Sequence, residues 1–344
     1  MKDPFTKNEV KVAVIGGGTG SFNMLSSLKK YTTQIAAIVN MADDGSSTGI
    51  LRDELGALPP GDIRQCLVAL SDSPKIRDLF DYRFDTGTFK GHAFGNILLT
   101  ALEKVTGDFS EAVETASEIL RIHGTVIPAT LDDIRLKMEW SERSVILHGE
   151  RVIYVEQFKH DPRQAELSLI PRAHPNPTAI AAIEQADVII IAPGDLYTSL
   201  GPLLIIDGIG EALKKTDALK FYIPNLISKK GQTDNFTVSD HVKEIERFAG
   251  EDFLDYVLFN NQQPDESLTK AYKAEGGHLT KVDVGELERG HYEAVGGEFL
   301  GQRLTQKKSD PLYGKRSLIR HDGDAVMNLV FKIYESRQAT QPRN

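Results

Sequence analysis

The chain of 344 residues is 40% hydrophobic and 26% charged, with 40 basic against 49 acidic residues and a net charge of -9. That length suits one large domain or two ordinary ones, and the composition excludes a fibre, a coiled coil or a disordered chain. The acidic balance excludes an overall positive field for nucleic acid or an anionic membrane, but not an anion held by backbone N–H groups and a few placed arginines.

Residues 1–9 read as an N-terminal extension without the apolar core of a signal peptide, and no apolar run approaches the ~20 residues that span a bilayer. Cys66, the single cysteine, excludes an internal disulfide and reads as a small buried side chain. A cytoplasmic protein with no membrane span and no nucleic-acid partner is expected. Residues 10–15, VKVAVI, form a β-branched apolar run that stops at Gly16-Gly17-Gly18-Thr19-Gly20-Ser21, the pattern of a buried parallel strand entering a tight turn. Phe22 to Lys30 sets Phe22, Leu25 and Leu28 on one helical face, and the apolar run Ile35 to Val39 completes a β-α-β unit. Residues 41–62 are rich in Gly, Asp, Ser and Pro, which predicts a long functional loop or a pair of short helices.

Helical patterns follow at 62–70, 75–82, 93–105 and 109–122. From 125 to 170 apolar and polar residues alternate in IRLKMEW, SVILHG, VIYVEQF and ELSLI, which predicts a small antiparallel sheet set in as an insertion. Pro171 to Pro177 marks a break, Thr178 to Gln185 a helix, and DVIIIAPGDLYTSL a second buried strand that runs into a glycine-containing turn. Strands at 219–223 and 255–259 alternate with helices near 239–249 and 264–273, and residues 337–344 read as a disordered tail. The expected fold is a single α/β nucleotide-binding domain over 10–336: a Rossmann-like, doubly wound, mostly parallel sheet with a helical section and the β insertion at 125–170.

Gly16, Gly17, Gly18 and Gly20 let the main chain turn sharply and bring bare N–H groups against an anion, while the following helix adds its positive end. The same glycines also suit a plain strand-to-helix turn. No Gly-Lys-Ser/Thr closes the loop, so the lysine and hydroxyl of a P-loop are missing and ATP hydrolysis is disfavoured. Ser21 stands where a dinucleotide fingerprint needs its third glycine, and Asn40 where an NAD ribose needs Asp or Glu, which disfavours hydride transfer.

Ligands of open α/β sheets lie beyond the carboxyl ends of the strands. Asn40, Asp43 and Asp44 follow the second strand; the two carboxylates suit a magnesium ion, ribose hydroxyls or proton abstraction from an acceptor, and equally turn formation and helix capping. Pro193-Gly194-Asp195-Leu196-Tyr197-Thr198-Ser199 offers a second cradle for a phosphate or ribose. Asn225, with Gly231-Gln232-Thr233-Asp234 close behind, offers an amide for a base edge or a sugar. His241 reads as a first-turn helix residue capped by Ser239 or Asp240, and His92 lies among small neighbours that admit a ligand. No pair of histidines has the spacing of a zinc site.

Taken together, the glycine loop, Asn40 with Asp43-Asp44-Gly45-Ser46-Ser47, Leu58-Pro59-Pro60-Gly61-Asp62-Ile63-Arg64, Gly95-Asn96, Pro193 to Ser199, and Thr233-Asp234 through His241 resemble the CofD-like family, over residues 10 to 335. One branch comprises 2-phospho-lactate transferases of deazaflavin cofactor synthesis, which use a guanosine diphosphate donor. The other comprises bacterial gluconeogenesis factors, which bind UDP-sugars, especially UDP-N-acetylglucosamine, and support cell shape and wall synthesis. The Asp-Gly-Ser-Ser-Thr-Gly and Leu-Pro-Pro-Gly-Asp wording is similar to the second branch, so binding without turnover is expected, with the transferase as the alternative.

The resemblance implies that Gly16 to Ser21 hold a diphosphate and that Asp62, Asn96, Asn40, Gly194 to Ser199 and Asn225 line the nucleotide pocket. It implies that Asp43 and Asp44 lie near a transferase's acceptor or its magnesium, and that Arg320 takes part in UDP-sugar binding. Gly323 falls where some relatives carry a phosphorylatable threonine, so that control is not expected here. Implied partners are a nucleotide sugar and a regulatory protein of the cell-wall machinery; homo-oligomerisation is left open.

Overall fold

The apolar runs become the middle of one seven-stranded sheet. The computed structural model describes residues 10–264, 266, 269, 270, 277–301 and 320–340. Strands β1 (Val12–Gly16), β2 (Ile35–Val39) and β3 (Thr125–Pro128) run outward from the centre on one side. An antiparallel insertion of β4 (Arg135–Trp140), β5 (Val145–His148) and β6 (Glu166–Ile170) follows. The chain then returns to β7 (Val188–Ile191), beside β1, and continues outward through β8 (Leu219–Tyr222), β9 (Tyr256–Asn260) and β10 (Glu293–Gly297). The order β10-β9-β8-β7-β1-β2-β3 is parallel throughout, so the sheet is doubly wound as expected. Strand order reverses between β1 and β7, and such a switch point opens a crevice at the strands' carboxyl ends.

Alternation along β1 divides the core. Val12 and Val14 face α1 (Gly18–Leu28), α3 (Pro60–Leu70), α4 (Pro74–Asp81), α5 (Phe94–Thr106), α6 (Phe109–Leu120) and the C-terminal helix Gly323–Thr340. Ala13 and Ile15 face α8 (Pro177–Glu184), α9 (Gly201–Leu204), α10 (Ile209–Lys215), α11 (Val238–Ala249) and the insertion. The helix α2 (Ser46–Leu55) and the short α7 (Glu150–Val155) lie nearer the strand ends. Local chemistry sets the helix bounds: Asp108 accepts from the Glu111 N–H to start α6, and Thr237 with Asp240 forms a capping box that starts α11. Thr237 thus takes the capping place expected of Ser239 or Asp240.

Three expectations are corrected, and one strand is added. Thr125–Pro128 is an edge strand of the main sheet, with Ile127 in register with Ile38, so the insertion begins at Arg135 and not at 125. VIYVEQF is largely helix: Gly149, at φ 92°, turns the chain, and a carboxylate from outside the segment caps α7. Residues 337–340, read as tail, are the last turn of the C-terminal helix. β10 was not expected, because Glu293-Ala-Val-Gly-Gly has no apolar alternation. The N-terminal extension 1–9, residues 341–344 and most of the helix expected near 264–273 lie outside the described residues.

The insertion shares the main core: Leu136, Met138 and Trp140 of β4 are buried with Ile189 and Ile191 of β7. Trp140, Phe158, Tyr197 and Phe248 make successive edge-to-face contacts at 5.3, 5.7 and 5.8 Å. Among the described residues no single helix is long and apolar enough to cross a membrane; the apolar pair Leu196–Leu204 and Ile209–Lys215 is bent by 73° and packs into this core.

Candidate functional site

Glycine shapes the crevice between β1 and β7. Gly16 and Gly18 take φ of 152° and 64°, and Gly17 is the N-cap of α1. A β-carbon on Gly17 would lie 2.2 Å from Asp62 Oδ2, and one on Gly20 would lie 1.7 Å from the Pro193 carbonyl oxygen. The β1 loop, the start of α3 and the β7 loop therefore meet where side chains are missing. The Asp62 carboxyl thus lies against the loop at the positive end of α1, and the nearby Gly18 N–H favours its charged form. Thr19 and Gly20 complete the first turn, and the buried Ser21 hydroxyl makes no hydrogen bond.

Two side-chain amides bracket the loops. Asn40 Nδ2 donates to the Thr198 carbonyl (3.2 Å) and its Oδ1 accepts from the Ala42 N–H (3.1 Å), tying the end of β2 to the loop after β7. Asn225 Nδ2 donates to the Gly194 carbonyl (2.7 Å), tying in the end of β8. Asp195 accepts from the Tyr197 N–H (3.2 Å) and pairs with Lys229. Ser199 is half-buried on the turn that follows, and the Thr198 hydroxyl is buried without a partner.

Carboxylates line the crevice. Asp43 accepts from the Gly45 N–H (2.9 Å) and from the Thr48 hydroxyl, yet burial outweighs both and raises its pKa. Burial first, and the Asp43 charge second, push Asp62 up to about 7. Glu150, on α7, is pushed up to about 9 by burial and then by Asp43, Asp44, Asp195 and Asp62. Asp44 is differently employed: its two oxygens accept from the Glu150 N–H (3.1 Å) and the Arg151 N–H (2.6 Å), and Arg135 lies 3.8 Å away. It is the outside cap of α7.

The structure thus brings together Gly16, Gly17, Gly18, Asn40, Asp43, Asp62, Gly194, Asp195, Thr198 and Asn225. It sends others elsewhere. Leu196 and Tyr197 are buried in the core, with the Tyr197 hydroxyl donating to Glu244 (2.8 Å), because the segment Leu196–Leu200 winds as a π-helix that turns them inward. Asn96 lies behind the site: its Oδ1 accepts from Arg64 Nε (2.9 Å), and its Nδ2 reaches the Ser47 hydroxyl, which also meets His92 Nδ1 (2.9 Å). Arg320 is placed by its backbone, whose carbonyl accepts from the Gly301 N–H (2.8 Å), and the next residue, His321, ties this segment to α1 through its carbonyl, which accepts from Asn23.

Glu150, Lys229, Tyr154 and Arg52 are site residues that the motifs did not single out. Lys229 precedes the Gly231-Gln232-Thr233-Asp234 turn and carried a usable signal, a cation beside a strand-end loop. Glu150 carried none, since a helix from the insertion brings it in. Among the described residues no three Asp, Glu, His or Cys side chains are arranged to hold a metal ion. A groove lined by Lys214, Lys243, Glu246 and Arg247 lies at the C-terminus of α11, toward the amino ends of the strands and apart from this cluster.

The chain is similar to known proteins along nearly its whole length. Residues 12–300 match the family model described as 2-phospho-L-lactate transferase CofD. The gluconeogenesis factor of Bacillus subtilis is 38% identical over 326 residues, which is 94% of this chain and 98% of that protein. A putative gluconeogenesis factor of Thermotoga maritima is 35% identical over 326 residues, 94% of this chain and 99% of its own. A crystal structure of a UPF0052-family protein from Bacillus halodurans superposes with a TM-score of 0.83 at 35% identity, covering 94% of this chain and 98% of that one.

Proposed function

The chain belongs to the CofD family, together with proteins named gluconeogenesis factors, and from that premise we propose that it is a nucleotide-sugar-binding regulator. The ligand is UDP-N-acetylglucosamine or UDP-glucose, bound in the β1–β7 crevice without turnover. The protein reports its supply to the cell-wall machinery in the cytoplasm. The observation that carries this reading is the glycine loop at the start of α1, bare of side chains against Asp62 and the Pro193 carbonyl, at the sheet's switch point.

A diphosphate in this crevice faces Asp43, Asp62, Asp195 and Glu150, so its charge must be met. Magnesium suits the hard oxygen donors present. It commonly uses one or two carboxylates plus ligand phosphates and water rather than an all-protein cage. Asp43 and Asp62 would hold it, and Asp44 would not, because both its oxygens are engaged by α7. When bound, it would neutralise the phosphates.

Titration calorimetry with UDP-N-acetylglucosamine, UDP-glucose, GDP and NAD, each with and without magnesium, tests the reading. Saturable binding of a UDP-sugar is expected. Silence toward both UDP-sugars at millimolar concentration rejects it.

The matching family description and Asp62 support a second reading, a transferase that moves a phospholactyl group from a guanosine diphosphate donor to an acceptor hydroxyl, with the nucleoside monophosphate leaving as the donor's P–O–P bond breaks. A carboxyl pushed up to about 7 has the basicity to take a proton from an acceptor hydroxyl near neutrality. Product formed from phospholactyl-guanosine diphosphate and a deazaflavin acceptor would establish it. No product, with UDP-sugar binding intact, leaves the regulator.

A further inference from the structure

The β1 loop has no P-loop lysine, and the carboxylates around it make a counter-charge necessary for any phosphate ligand. Three nearby arginines are committed. Arg52 donates to the Asp43 carbonyl (2.9 Å), Asp133 (2.5 Å) and the Ile134 carbonyl (2.5 Å); Arg64 serves Asn96 and Asp81; and Arg135 serves Asp53 (2.6 Å). Lys229 differs. Its ammonium has three donors and engages the Asp195 carboxylate and the face of Tyr154, 3.6 Å from the ring centroid.

Its backbone is fixed by the turn that carries it. The Lys229 N–H donates to Thr233 Oγ1 (2.8 Å), and its carbonyl accepts from the Gln232 and Thr233 N–H groups (3.0 and 2.9 Å). That turn presents a flexible four-carbon stem to the loop of Gly194 and Asp195, whose neighbour Pro193 abuts Gly20.

We propose that Lys229 is the phosphate-binding cation of the crevice, standing in for the lysine that the glycine loop lacks and passing from Asp195 to the ligand's diphosphate on binding. Tyr154 and Asp195 park the ammonium at the rim when the ligand is absent. This assignment rests on the nucleoside-diphosphate reading above.

The test compares wild type and Lys229→Met by calorimetry against UDP-N-acetylglucosamine, UDP and uridine, with thermal unfolding on the same samples. Lys229→Met is expected to weaken both diphosphates by about tenfold or more and uridine by less than about twofold, and Lys229→Arg to stay within about threefold of wild type. If Lys229→Met fails to fold, Lys229→Gln takes its place in the same series. Undiminished diphosphate affinity in the neutral variant overturns the assignment, as does an equal loss for uridine, which would mark Lys229 as a latch between loops. A wild type silent toward all three ligands removes the nucleotide reading and this assignment with it; a binding wild type beside an unaffected variant removes the assignment alone.

Discussion

One methyl group is enough to part the two loops that meet at the switch point. Gly20 lies in the first turn of α1, and a β-carbon there would lie 1.7 Å from the Pro193 carbonyl oxygen, 2.7 Å from its carbonyl carbon and 3.3 Å from its Cβ. Non-bonded heavy atoms need roughly 3.5 Å, so helix and loop must separate by on the order of 1.5 Å. Overpacking costs about 1–3 kcal/mol, and a backbone oxygen that cannot rotate away puts Gly20→Ala near the top of that range. Helix propensity alone would return about 1 kcal/mol in alanine's favour, leaving a net loss of about 2 kcal/mol. Gly285→Ala supplies the control, since nothing lies within 4 Å of a β-carbon there, and it should be neutral or stabilising. Urea unfolding of the three proteins, compared at a common slope, reads the difference. A Gly20→Ala protein as stable as wild type would refute the claim that the loops are in backbone contact.

Four further outcomes are expected. Gly18→Val, at φ 64°, forces a β-branched residue into the left-handed region and should weaken nucleotide binding by about tenfold or more, ~1.4 kcal/mol; a folded variant with full affinity would reduce the loop to a turn. Burial lowers the His321 pKa from 6.5 to about 4, so the folded state resists protonation; this residue's contribution to stability is full above pH 6.5 and falls by about 3 kcal/mol as pH drops to 4, so the stability difference between wild type and His321→Gln in urea melts should change by that amount across the window, on top of the opposite trend from the raised carboxyls Asp62 and Glu150. Asp44→Ala removes the cap of α7 at a cost of about 0.5–2 kcal/mol, and hydrogen exchange should accelerate at Glu150 and Arg151 while the sheet stays protected. Cys66 is buried and burial raises its thiol pKa, so a thiol reagent should label it only after unfolding.

The sheet was legible because its central strands are buried on both faces and so read as continuous apolar runs, Val12 to Ile15 and Val188 to Ile191 above all. β10 escaped because an edge strand with two glycines needs no such run, and α7 escaped because its cap, Asp44, lies 106 residues before Glu150. The glycine loop, Asn40, Asp43 and the 193–199 segment were legible from their position after strands. Direction was not: Leu196 and Tyr197 follow the same strand as Asp195 and turn into the core on the π-helix. Asp62 was legible as part of a motif, whereas its seat against the Gly18 amide depends on how α3 packs beside α1.

These contacts give the insertion a part in the site. α7 is held at its first turn by Asp44, from the β2 loop, and at its last by Gln232, from the β8 loop, whose Nε2 donates to the Ile153 carbonyl (2.7 Å) and the Glu156 carbonyl (3.0 Å). Between those ends it offers Glu150 to the crevice and Tyr154 to Lys229. Two strand-end loops thus grip one short helix, and the edge-to-face series from Trp140 to Phe248 fixes the rest of the insertion to the sheet. A six-residue helix is too short to persist alone, and α7 is kept in place by these anchors and by Ile153, which is buried in the core. α7 thus lies between the crevice and the outer surface of the insertion, where Val152 and Val155 are 46% and 68% exposed.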